Sequence, residues 1–364
     1  MLATRKQYQV EFGAGKLEEL KILQIIGSSG SGGAEKFYLK FIESIRSVCK
    51  IVPLVRSGSW VASQLDAARI PYNTASFGGY FDCKTRIKIS QIIEEEQPHI
   101  AQTWMSRASR HMPKDSNVKW IGRLGGYYDL KYYKGADMLV GNTKDICAYL
   151  VRNGWPEEQV SYLPNFAIKS PEIFKADRVK NRQKMGIPED AILLFSAGRF
   201  HKNKGYDLAV KAIAKLPQEF HLLVAGEGPE KKSLLSDIKR LSLQSRVHIY
   251  GWADDITPYV QVADIWLVPS RIEPLGNVIL ESWASGIPIV ASDAVGPRFL
   301  IENGSTGLLF RNGDCVDLAT EVKKLSTDPV LMNMLIQNGK KRFSEDFSRE
   351  RVLEKWVKFY KNLL

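Results

Sequence analysis

The chain has 364 residues, enough for two domains that each bury a core of their own. Its 44% apolar and 25% charged residues exclude a disordered or fibrous protein, and no apolar run approaches the roughly 18 to 20 residues that span a bilayer. The net charge of +11 favours anionic partners, but Cys49, Cys83, Cys147 and Cys315 and the five scattered histidines form no metal or disulfide pattern.

Residues 1–20 read as a polar extension, with a basic start and no apolar core of the kind a secretory signal carries. The apolar strand Lys21–Gly27 then runs into the Gly-rich turn Ser28-Ser-Gly-Ser-Gly-Gly33 and an amphipathic helix through about Val48. Short apolar strands follow at 51–55, 99–103, 119–121 and 138–141. Pro164 and Pro188 flank a charged, helix-prone linker. The same plan then repeats, with a strand at 192–198, the turn Arg199-Phe-His-Lys-Asn-Lys-Gly205, and a helix through about Leu216. Strands at 220–225, 247–250, 265–268 and 287–291 complete the second series. Alternation of β and α predicts a doubly wound parallel sheet, twice over. Domains are expected at 21–170 and 171–345. In 346–364 an apolar stripe from Val352 to Leu364 predicts a helix that packs back on a domain, with a membrane-surface helix as the alternative.

Three places can carry chemistry. Gly30-Ser-Gly32 supplies two glycines of the G-x-G-x-x-G dinucleotide fingerprint, but Glu35 fills the third place. Arg56, at the end of the next strand, could meet a 2′-phosphate, so an NADP-dependent oxidoreductase stays open as an alternative. A non-catalytic binder of anionic ligands is the other alternative, because residues 105–134 hold seven basic residues against two acidic ones. Next, Arg199, Lys202 and Lys204 put positive charge at a strand's ligand edge, where they can neutralise a diphosphate. Charge that grows on a departing diphosphate would be stabilised there. Finally, Arg271-Ile-Glu-Pro-Leu-Gly-Asn-Val-Ile-Leu-Glu281 leads from a strand into a helix, with Glu273 and Glu281 around the turn. The helix N-terminus attracts phosphate and the carboxylates suit hydroxyls, a combination that fits a sugar nucleotide.

In chain order these landmarks resemble the retaining GT-B glycosyltransferases of family four. Gly32-Gly-Ala-Glu35 and Gly198-Arg199 with Lys204-Gly205 come first, then Ala225-Gly-Glu-Gly-Pro229 and Arg246-Val-His-Ile-Tyr-Gly251. Ala263-Asp-Ile, Pro269-Ser270, the Glu273–Glu281 pair, Ala284-Ser-Gly286-Ile-Pro288 and Asn303-Gly-Ser-Thr-Gly307 complete the set. The stretches Gln102–Ala108 and Gly122–Leu130 look like bacterial lipopolysaccharide-core transferases.

The resemblance implies two Rossmann-like domains facing a cleft, and transfer of a hexose from a nucleoside-diphosphate sugar, with retention, to a membrane-associated glycan. It assigns Glu273 to the donor hexose, Glu281 to the ribose, and Arg199 and Lys204 to the diphosphate. The N–H groups of Leu275, Gly276 and Asn277 would cradle the distal phosphate. Gly251 and Trp252 would flank the base, and Gly32 and Gly33 would face the diphosphate. No metal or other cofactor is expected: there is no D-x-D motif, and cationic side chains with a helix dipole would take a metal's place. A cytoplasmic enzyme in peripheral contact with the inner face of the cell membrane follows, with no nucleic-acid partner. One departure stands out. Many members carry a first-domain histidine at the reacting centre, yet this chain has none between His111 and His201, and Arg123-Leu-Gly-Gly126 occupies that place. Gln102 and Trp104 stand where His-x-His is common.

Overall fold

The computed structural model describes residues 19–79, 81–114, 116–169, 175–253 and 255–364. Of the expected polar extension, residues 1–18 lie outside these. The chain divides into two compact units, one running to Asn165 and resuming at Arg349–Leu364, the other formed by Phe166–Ser348.

The first unit is built on β1 (Lys21–Ile26), β2 (Lys50–Arg56), β3 (Asn73–Ala75), β4 (Ile100–Trp104), β5 (Lys119–Leu124), β6 (Met138–Gly141) and β7 (Val160–Tyr162). Their order in the sheet is β3-β2-β1-β4-β5-β6-β7, all parallel. Every residue of β4 is buried, as expected of a strand covered on both faces by crossover helices. The helix Arg349–Leu363 belongs to this unit and packs on the helix Gly33–Ile45, with the rings of Trp356 and Phe41 5.1 Å apart. The Tyr360 hydroxyl donates to Gln102 Oε1 at 2.6 Å and accepts from Gln24 Nε2 at 3.3 Å. Gln24 Oε1 in turn accepts from Trp104 Nε1 at 2.7 Å.

The second unit holds β8 (Ile192–Ala197), β9 (Phe220–Ala225), β10 (Val247–Tyr250), β11 (Ile265–Val268), β12 (Ile289–Ser292) and β13 (Leu308–Phe310). They form a parallel sheet in the order β10-β9-β8-β11-β12-β13. Alternate residues of β9 enter opposite cores: Leu222 and Val224 pack on one face, Leu223 and Ala225 on the other. The segment expected as a helix-prone linker does form a helix, Lys175–Lys184, but it docks into this unit. Its Arg182 is buried and bonds Asp264 at 2.5 Å as well as the carbonyls of Val262, Glu189 and Ala191. A buried guanidinium with its donors filled is an anchor, not a linker residue.

Candidate active site

An open parallel sheet binds ligands beyond the C-terminal strand ends, where the strand order reverses. In the second unit that point lies between β8 and β11. The turn after β8 and the turn after β11 meet there. Asn203 O accepts the N–H groups of Arg271 at 2.7 Å and Ile272 at 3.1 Å. The Arg271 guanidinium forks onto Asp207 at 2.7 and 2.8 Å. Burial alone would raise the Asp207 carboxyl, but bonds from Arg271 and Lys211 bring it below its ordinary value. Gly205, at φ 67°, lets the turns approach: a Cβ there would lie 2.0 Å from Pro269 O.

At the centre, Lys204 Nζ lies 2.5 Å from Glu273 Oε2. Ser270 Oγ donates to the same oxygen at 3.2 Å, and the Gly276 N–H donates to Oε1 at 3.3 Å. Glu273 is 8% exposed, and its carbonyl accepts the Gly296 N–H at 2.8 Å. Gly276, at φ 80°, turns the chain into the nine-residue helix Asn277–Ser285. Burial and then the field of Glu273 push the Tyr206 phenol well up, so its hydroxyl stays protonated beside the site. The result is a carboxylate, an ammonium and a helix N-terminus at one strand edge. Such an arrangement receives hydroxyls at the carboxylate and phosphate at the ammonium and the N–H groups.

The family model described as glycosyl transferases group 1 matches residues 177–342, which hold both turns. The lipopolysaccharide core biosynthesis glycosyltransferase LpsE of Rhizobium meliloti is 31% identical over 330 residues, 90% of this chain and 95% of that protein. The chain belongs to the group 1 glycosyltransferases. LpsD of the same organism is 29% identical over 338 residues, again 90% of this chain and 95% of that one. Anabaena HepE, solved in complex with UDP-glucose, has the same fold at a TM-score of 0.83 and 19% identity, over 94% of this chain and 100% of that one. The fold is GT-B.

Elsewhere in the second unit of this glycosyltransferase, Arg199 is exposed just beyond β8. Leu275 precedes Gly276 in the turn, Asn277 opens the helix, and Glu281 lies one turn further along it. Gly251 and Trp252 follow β10, and Trp252 is 44% exposed. A Cβ at Gly251 would lie 3.5 Å from Glu227 Oε1. Lys204, Glu273, Gly276 and Asn277 are thus in one turn system, while Trp252 and Gly251 sit two strands away from β8, beyond β9.

In the first unit, Gly32 caps the helix that Gly33 begins. Glu35 is 8% exposed and folds back under the Gly-rich turn, where a Cβ at Gly32 would lie 3.1 Å from its Oε2. Gln102 and Trp104 are fully buried in the network around Tyr360. His111 is buried against the Phe77 ring, and burial lowers its pKa. Arg123, next to last in β5, is 3% exposed, with the Trp104 ring 4.2 Å and the Phe37 ring 4.9 Å from its guanidinium. It donates to Asn165 Oδ1, its Nε has no partner, and burial draws its pKa down to about 9. The motif series included Ser270 but not its bond to Glu273, and it gave no sign of the Arg271–Asp207 pair or of Asn165. Arg271 and Asp207 are 64 residues apart, and only the strand order brings them together.

Proposed function

We propose that this glycosyltransferase moves a hexose from a nucleoside-diphosphate sugar to a membrane-associated glycan of the lipopolysaccharide-core type, with retention at the anomeric carbon. The observation that carries this reading is the Lys204–Glu273 pair at the head of the helix Asn277–Ser285. In this reading the distal phosphate takes Lys204 and the N–H groups of Leu275 and Asn277, and Arg199 takes the proximal phosphate. Glu273 accepts the hexose hydroxyls, Glu281 the ribose hydroxyls, and Gly251 and Trp252 border the base. Negative charge grows on the departing diphosphate, so these cations act more on the transition state than on the ground state. Support also comes from HepE, solved with UDP-glucose, and from the names of LpsE and LpsD.

The NADP reading is disfavoured by Glu35, whose carboxylate lies against Gly30 and Gly32, where a pyrophosphate would have to sit. No helix among the described residues is long and apolar enough to cross a membrane, and peripheral contact with a membrane-borne acceptor is part of this proposal. The deciding experiment incubates the chain with a panel of nucleotide sugars and scores slow hydrolysis without acceptor. One donor is expected to be consumed, and in a parallel incubation with a core-glycan acceptor NMR should show its α configuration kept in the transfer product. Hydrolysis of none, with NADPH quenching tryptophan fluorescence instead, would overturn the reading.

A further inference from the structure

We propose that Arg56, Arg107 and Arg110 form a phosphate-binding subsite that reads a phosphomonoester carried by the acceptor glycan. The proposal rests on the first unit being the acceptor side of the transferase, and it names the chemistry that side recognises.

The three guanidinium groups come from two strand ends at the ligand edge of one sheet. Arg56 ends β2, while Arg107 and Arg110 lie on the short helix Met105–Arg110 that follows β4. β1 runs between those strands, so their ends are two strand spacings apart, roughly 10 Å. The Arg107 side chain crosses that gap over Gly27, where a Cβ would come within 3.2 Å of Arg107 Cγ and 2.6 Å of the Phe77 ring. Gly27 therefore keeps open the path that the arginine uses.

Two of the three are held in place by backbone. Arg107 Nη1 donates to Phe77 O at 3.2 Å, and Arg110 Nη2 donates to Gly78 O at 2.8 Å. Each guanidinium has five N–H donors, so most stay available, and Arg110 Nε is buried without a partner. None of the three forms an ion pair among the described residues. The carboxylate whose field reaches nearby His111, Asp82, is already engaged: its oxygens accept from Ser76, Thr85 and the Gly78 N–H.

Burial lowers the Arg107 pKa, and the fields of Arg56 and Arg110 lower it further. Like charges held together without a counter-charge cost folding free energy, which a bound anion would offset. A phosphomonoester brings a charge of about −1.5 to −2 and three acceptor oxygens, a closer match to three guanidinium groups than a single carboxylate.

The test titrates the intact chain by calorimetry with mannose 6-phosphate, mannose and galacturonate, with UDP, ADP and GDP present to occupy the donor site. Mannose 6-phosphate is expected to bind and mannose to give no heat. Arg107→Gln and Arg56→Gln should each weaken mannose 6-phosphate binding about tenfold or more. Equal binding by both variants would overturn the subsite, and tighter binding of galacturonate would overturn the phosphate assignment. Arginine-dependent sedimentation with phosphatidate vesicles, without binding of the sugar phosphate, would overturn it in favour of a lipid headgroup. Nucleoside diphosphate affinity, measured separately on the same proteins, tests the donor site, so failure of one reading is distinguishable from failure of the other.

Discussion

Glu273 and Lys204 hold each other at 2.5 Å, and that pairing sets what each substitution does. Glu273→Ala removes the carboxylate and frees the Lys204 ammonium, which lies 2.5 Å away. Transfer is expected to fall about a hundredfold or more, while nucleoside diphosphate binding holds or tightens in calorimetry. Lys204→Ala leaves Glu273 buried with only Ser270 and the Gly276 N–H, so nucleoside diphosphate binding should weaken about tenfold. Transfer at wild-type rate by Glu273→Ala would remove the site assignment. The motif order pointed to both residues but not to their pairing. The landmark Lys204-Gly205 singled out Lys204, and Gly205, at φ 67°, ends the short helix Lys202–Lys204 that carries it to Glu273.

Helices and strands were legible where burial on both faces writes apolar runs, as in β8 and β9. The three-residue strands β3, β7 and β13 were not. The first two carry only one fully buried residue between them, and all three lie at a sheet edge, so pairing with a neighbour makes them strands. The segment Lys175–Lys184 was read as helix-prone but as a linker for a related reason, since Arg182 looks solvated until Asp264 and three carbonyls are seen around it. The helix Arg349–Leu363 showed its apolar stripe plainly, but not that Tyr360 would serve two glutamines. Tyr360→Phe takes the partner from Gln24 Nε2 and Gln102 Oε1 and should cost about 1–3 kcal/mol in urea unfolding. Trp356→Ala, which empties a fully buried site against Phe41, should cost about 3–5 kcal/mol. Unchanged midpoints in both variants would contradict the packing of this helix.

For the molecule as a whole, the pH dependence of stability should reflect His221. It is buried with its Nδ1 3.2 Å from Nε2 of His248, and burial, then the fields of His248 and Arg246, bring its pKa down to about 4, against a weaker upward pull from Asp190. The folded chain keeps His221 neutral below its ordinary value of 6.5, whereas the unfolded chain binds a proton there. Stability contributed by the neutral ring is therefore complete above about pH 7 and is lost as pH falls from 6.5 towards 4. Urea midpoints between pH 7 and 4.5 should show that slope, and His221→Gln should flatten it. The division of the chain has a separate consequence, for synthesis. The first unit needs Arg349–Leu364, which the ribosome makes only after all of Phe166–Ser348. The second unit is continuous and can finish folding during translation, while Gln24 and Gln102 wait for the Tyr360 hydroxyl. The half of the protein that starts first is completed last. A nascent chain stalled with residue 348 just outside the exit tunnel should be protease-resistant across the second unit and still cleavable in the first.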